Sequence, residues 1–117
     1  MIKGIGTDIV KVERIEEKHV DRILSVEERK LYFAFASTSR RQEFLAARFA
    51  AKEALTKAFT TTGLFFAFTE MTILNDENGR PFLAKPSLEQ LSVWLSLSHE
   101  REYAIAFCII EERKKGN

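Results

Sequence analysis

The chain has one cysteine, two prolines and five glycines in 117 residues, and each scarcity removes a class of explanation. The lone Cys108 forms no internal disulfide, so the fold is held by packing, as suits a reducing compartment. Its place in an apolar alternating stretch marks a core filler rather than a nucleophile. No repeat, low-complexity segment or Pro/Gly-rich linker breaks the chain, and one domain over 1–117 is expected. No apolar run approaches a membrane span, and "MIKGIGTDIV" lacks the basic and apolar regions of a secretion signal. A cytoplasmic protein with no membrane partner is expected. Charge of one sign is also missing. The 18 basic and 17 acidic residues leave a net charge of +1, which gives no global field for nucleic acid or anionic lipid.

What is present is a globular composition, 45% hydrophobic and 30% charged. A chain of this length removes roughly two thirds of its unfolded surface from water, so self-association would add useful stability. Residues 2–7 read as a short strand ending at Asp8, with Gly4 and Gly6 leaving room for a close backbone approach. Val12 and Ile15 keep helical spacing, so a helix over 9–18 is expected, with Asp8 as its possible N-cap. Ser25 and Glu28 match a capping box that opens a helix "VEERKLYFAFA". Ser39 and Gln42 match a second box before a long helix reaching about Phe59. Two strands follow around Asn78-Gly79, then a short helical piece from Pro86, then "VWLSLS" and "YAIAFCII" joined by the turn "HERE". In the last strand Tyr103, Ile105, Phe107 and Ile109 alternate as a half-buried row. The order β-α-α-α-β-β-α-β-β predicts an α+β fold with a mostly antiparallel sheet packed on the long helix.

The long helix, "FLAARFAAKEALTKAF", places Glu53 on a face with Ala46, Phe49, Ala50 and Lys57. A carboxylate among apolar neighbours needs a partner. One reading is an i,i+4 ion pair with Lys57. The other pairs Glu53 with Asp8, the acid that ends the glycine-flanked strand. Two carboxylates brought from distant parts of a chain suit Mg²⁺, which takes oxygen ligands and keeps positions for water or phosphate.

The segments "GIGTDIVKVERI", "EFLAARFAAKEALTKAF", "NDENGRPFL" and "LSLSHEREYAIAF" together resemble the holo-[acyl-carrier-protein] synthases, the short class of 4′-phosphopantetheinyl transferases. The pairing of Gly6-x-Asp8 with the run F-x-x-K-E-A-x-x-K, Phe49 to Lys57, carries most of the specificity. The resemblance implies transfer of the phosphopantetheine arm from coenzyme A to a serine of apo acyl carrier protein, with release of adenosine 3′,5′-bisphosphate. It further implies Asp8 and Glu53 as Mg²⁺ ligands and Lys57 as the cation near the leaving phosphate, with Glu53 or an ordered water as base. Ser98 and His99 would hold coenzyme A phosphates, with Arg48 and the pair Arg40 and Arg41 as candidates for its 3′-phosphate.

The family's glycine-rich turn after the long helix is here Thr60-Thr61-Thr62 before Gly63, and β-branched residues would resist positive φ if the turn cradles phosphate. The greasy "LFFAF" at 64–68 reads as core, subunit interface or pantetheine-lining surface. Lys11, Arg14 and Lys18 fall at i, i+3, i+7 as a basic ridge on the first helix, a landing site for an acidic carrier protein, with Arg22 beyond it. The resemblance also implies a homotrimer with active sites between subunits. One chain would give Asp8, Glu53 and Lys57, and its neighbour Ser98, His99 and Arg48. The rival readings are a metal-dependent nucleotide pyrophosphate hydrolase and a non-catalytic module that binds coenzyme A or carrier protein.

Overall fold

In the computed structural model, which describes residues 1–113, one long helix lies across a twisted antiparallel sheet. Strand β1 (Ile2–Lys11) pairs with β5 (Tyr103–Glu112), and β5 pairs with β4 (Leu91–His99), giving the order β1-β5-β4. Helix α3 (Thr38–Phe59) covers one face of that sheet. Two shorter helices, α1 (Val20–Ile23) and α2 (Val26–Ala34), pack beside it. Strands β2 (Thr72–Asn75) and β3 (Pro81–Lys85) form a separate hairpin around Asn78-Gly79. The α+β class and the antiparallel sheet on a long helix are as the sequence predicts.

The core is thin because α3 sits close to the strands. Its buried row is mostly alanine: Ala46, Ala47, Ala50, Ala51, Ala54 and Ala58. The facing positions of β1 are Gly4 and Gly6. A Cβ on Gly6 would lie 1.8 Å from the Ala54 carbonyl oxygen, and one on Gly4 2.0 Å from that of Ala58. Only glycine permits this approach.

The same closeness reverses the row expected to be buried in β5. Ala104, Ala106, Cys108 and Ile110 face α3, while Tyr103, Ile105 and Phe107 point away and are exposed. Where the helix lies closest, the small Ala104, Ala106 and Cys108 fit beneath it and the bulkier alternate residues do not. The outer face therefore carries Ile5, Ile9, Trp94, Tyr103, Ile105 and Phe107 in contact with solvent.

Three local expectations are corrected. The helix expected over 9–18 is absent, because Ile9 and Val10 continue β1 opposite Ile105 and Ala104 as far as Lys11. Short 3₁₀ turns follow at Val12–Arg14 and Glu17–His19. Helix α3 is capped two residues early, at Ser37 rather than Ser39, and the Ser37 hydroxyl accepts the Arg40 N–H at 3.3 Å. Gln42 instead donates to the Val12 carbonyl at 3.4 Å. No helical piece follows Pro86, since the β4 ladder already starts at Leu91 opposite Glu112.

Candidate active site

Two groups of polar side chains emerge on the α3 side of the sheet. The first lies along the seam between β1 and α3. Gly4 and Gly6 meet Ala58 and Ala54, one helical turn for each two strand residues. Asp8, the next inward residue of β1, therefore faces the turn before Ala54, which carries Ala50 and Glu53. Lys57 leans back toward the helix N-terminus, as long helical side chains do, and puts Nζ 3.3 Å from Asp8 Oδ1 and 3.0 Å from the Thr7 carbonyl. The ion pair of Lys57 is thus with Asp8, not the i,i+4 pair with Glu53. Glu53 is half-buried and belongs to none of the ion pairs or side-chain hydrogen bonds found among the described residues. Asp8 is a strand residue opposite Ala106 and caps no helix.

The second group lines a cleft of about 540 Å³ between α3, the end of α2, the β2–β3 hairpin and the end of β4. Arg40, Glu43, Phe44, Ala47 and Arg48 form its α3 wall, spaced at i, i+3, i+4, i+7 and i+8. Leu74, Asn75, Gly79 and Pro81 of the hairpin and Leu97 and His99 of β4 line the rest. His99 Nδ1 lies 3.2 Å from Glu43 Oε1, which fixes the ring and leaves Nε2 for a ligand. Arg48 lies over the Phe44 ring, Cζ 4.4 Å from its centroid, and donates from Nη2 to Asn75 Oδ1 at 3.0 Å. Burial pushes its guanidinium below the usual arginine range, and Glu28 opposes that shift. Arg40 lies over Phe35 at the cleft edge. Arg41 turns away and donates to the Phe35 and Phe33 carbonyls at 2.8 and 3.0 Å.

The remaining candidates are scattered. Ser98 precedes His99 on β4, so its side chain points to the opposite, outer face beside Ile105. Gly63 lies beyond the end of α3 and has φ +79, the left-handed value that favours glycine. Thr60–Thr62 make a 3₁₀ turn, and among the described residues none but glycine has positive φ. The threonine side chains serve the backbone: Thr61 Oγ1 bonds the Lys3 carbonyl and Thr62 Oγ1 receives the Leu64 N–H at 3.2 Å. In 64–68, Phe66 packs on Phe59 and Phe68 on Phe49, while Phe65 is 76% exposed. Arg14, Lys18 and Arg22 are all exposed, but they sit on two 3₁₀ turns and on α1, so the helical ridge dissolves.

Sequence reasoning passed over Glu43 and Phe44, which stand on the α3 face marked by the stripe 40, 44, 48, and over Asn75 at the end of β2. It also passed over the fully buried pair of Glu28 and Lys52, whose charges are 2.5 Å apart. A lysine ringed by alanines was the available signal.

For metal, Asp8 and Glu53 offer hard oxygen donors at the seam. Among the described residues no group of three or more His, Cys, Asp or Glu side chains makes a fuller cage. Two carboxylates fit a hydrated Mg²⁺ whose remaining positions are filled by water and phosphate.

Comparison with known proteins gives the family of the chain. Residues 4–108 match the model of the 4′-phosphopantetheinyl transferase superfamily. A holo-[acyl-carrier-protein] synthase of Geobacillus sp. is 48% identical over 95% of this chain and 98% of its own length. That of Petrotoga mobilis is 41% identical over 94% and 97%. The crystal structure of the Bacillus anthracis synthase in complex with CoA (3′,5′-ADP) superposes with TM-score 0.85 at 39% identity, covering 97% of this chain and 99% of the other.

Proposed function

The chain belongs to the 4′-phosphopantetheinyl transferase superfamily, with the holo-[acyl-carrier-protein] synthases as its relatives, and from this we propose that it modifies an acyl carrier protein with coenzyme A as donor. The serine hydroxyl of the apo carrier protein attacks the phosphorus that bears pantetheine. The bond to the bridging oxygen breaks, and adenosine 3′,5′-bisphosphate leaves. The observation that supports this most is the seam, where glycine-permitted contact of β1 with α3 brings Asp8 within 3.3 Å of Lys57, one helical turn beyond Glu53.

Asp8 and Glu53 are the proposed Mg²⁺ ligands. When bound, the ion would neutralise pyrophosphate charge as the leaving oxygen departs. Lys57, tethered by Asp8 and the Thr7 carbonyl, holds a positive charge near the same oxygens. Glu53, without a partner among the described residues, is also placed to take the serine proton. In the cleft, Arg48, Arg40 and His99 gather donors for phosphate groups, and Phe44 offers an aromatic face.

None of the seam residues lines the cleft. Asp8 and Leu97 flank Ala106 from opposite sides, so within one chain the two halves stand about two strand spacings apart, roughly 10 Å. The outer sheet face is apolar enough to bury against another copy, with Ile5, Ile9 and Trp94 each more than half exposed. Both features support a single-domain protomer in a homotrimer whose sites join the seam of one chain to the cleft of its neighbour. Arg14, Lys18 and Arg22 remain the proposed carrier-protein contacts. No helix among the described residues is long and apolar enough to cross a membrane, and we place the activity in the cytoplasm.

Mass spectrometry of an apo carrier protein incubated with coenzyme A and Mg²⁺ tests the reading. A phosphopantetheine mass gain on the serine is expected. Bisphosphate release without that gain would identify a hydrolase, and neither product would leave a binding module.

A further inference from the structure

Three charged side chains are buried together behind the cleft, and one of them reaches it. Glu28 and Lys52 are fully buried and Arg48 is 4% exposed, yet the cleft wall includes only Arg48. Lys52 Nζ donates to Glu28 Oε1 at 2.5 Å and to the Ile23 and Phe68 carbonyls at 2.7 and 2.8 Å. Glu28 also accepts the Ser25 N–H on Oε1 at 2.9 Å and the Ile73 N–H on Oε2 at 2.8 Å. Before Arg48 approaches, Oε1 thus has two donors and Oε2 has one. Arg48 Nε stays 3.8 Å from Oε2 and has no hydrogen-bond partner among the described residues. Lysine and glutamate cancel, and the arginine is surplus. A buried surplus cation beside a cleft calls for an anion from outside the chain.

We infer that Lys52 is a positioning residue for anion binding: by occupying Glu28, it keeps that carboxylate from closing a bidentate pair with Arg48 and leaves the guanidinium charge to a phosphate group in the cleft. The inference rests on the cleft's role as the coenzyme A cleft proposed above. Lys52 itself does not line the cleft and acts only through the two residues beside it. Its long stem is fully buried in the core, which conceals the electrostatic role.

The test is the affinity for adenosine 3′,5′-bisphosphate, measured by calorimetry in EDTA so that divalent metal at the seam does not enter. Lys52→Met frees Glu28 to capture Arg48 and cancels the surplus charge, so binding should weaken about tenfold. Glu28→Gln leaves two uncancelled cations and should tighten binding. Glu28→Gln combined with Lys52→Met restores one surplus cation, and affinity should return to within about threefold of wild type. A purely structural lysine gives no such ordering among folded variants, and a lysine that binds the anion itself leaves the double variant as weak as the single. Either result overturns the inference. If Lys52→Met fails to fold by thermal melting, the remaining variants decide: Glu28→Gln must bind more tightly than the double variant, and equality overturns it. Arg48→Met guards the premise. If wild type does not bind the bisphosphate, or Arg48→Met binds it equally well, the reading of the cleft fails and this inference with it.

Discussion

Lys57 Nζ lies 3.3 Å from Asp8 Oδ1, a contact between the last turn of α3 and the middle of β1 that joins residues 49 positions apart. The lysine side chain is 55% exposed, so the pair adds at most about 1 kcal/mol to stability. Its value is in placement, because it brings a cation and a carboxylate to the same seam as Glu53.

Asp8→Ala and Glu53→Ala should each lower transfer by more than about 100-fold, since loss of a metal ligand exceeds the effect of losing an outer-shell partner. Unfolding midpoints should change little. Full activity of either variant at limiting Mg²⁺ would remove that residue from the metal site. Replacing Glu53 and Lys57 together with neutral residues should also abolish transfer. An intact double variant would leave the pair with no part in catalysis.

Gly6→Ala should destabilise the protein by about 3 kcal/mol or more, because the new methyl meets a backbone carbonyl that cannot move aside. Gly79→Ala has open space around it and pays only for its left-handed φ, about 1 kcal/mol. Urea unfolding of the two variants checks the contrast. Equal losses would show that α3 can retreat from β1.

Arg14→Glu should raise the KM for carrier protein several-fold and leave that for coenzyme A unchanged, as reversal of an exposed docking charge does. Added salt should weaken wild-type docking in the same way, since exposed charges are screened beyond about 10 Å at 0.1 M salt. Parallel changes in both KM values would indicate a general defect instead.

Burial pushes the Cys108 thiol from 9.0 up to about 11. The folded state thus disfavours the thiolate. The stability associated with this group is full below pH 9 and is lost as pH rises through 11, by on the order of 2 kcal/mol. Unfolding free energies of wild type and Cys108→Ala, measured from pH 8 to 11, should converge as the wild type loses its advantage. A constant difference would contradict the burial argument.

Asp8→Ala and His99→Ala, each inactive alone, should recover about one quarter of the wild-type sites when refolded together, if every site joins two chains of a trimer. If seam and cleft served one site within a chain, every chain would carry a defect. A correctly assembled mixture with no activity would overturn the shared site and leave the ligand assignments standing.

The sequence made the coarse plan legible where local chemistry decides structure. The Ser25–Glu28 capping box, the Asn78-Gly79 turn and the alanine-rich helix each depend on near neighbours, and each is found. Tertiary pairing decided the rest. Residues 9–11 fall within the helix that the spacing of Val12 and Ile15 suggests, yet they extend a strand because β5 supplies the ladder. Tyr103, Ile105 and Phe107 look like a core row, but the closeness of α3 admits only the alanine and cysteine positions between them. Asp8, Glu53 and Lys57 stand out as candidates because a family motif spans them, and the structure pairs Asp8 with Lys57. Glu43 and Lys52 carried a local signal on α3, but Asn75 and the pairings Glu43–His99 and Glu28–Lys52 did not, because the partners come from other elements.

The contact of Gly4 and Gly6 with α3 also sets which mutations this gene tolerates between its first strand and its active site. The position of Asp8 is measured from those glycines along a pleated backbone whose side chains alternate. A one-codon insertion or deletion at Thr7 would turn the carboxylate to the outer face without altering its identity. In this stretch, therefore, changes of reading length should be purged more strictly than changes of spelling, and homologous sequences should keep the spacing from Gly6 to Asp8 even where the residue between them varies.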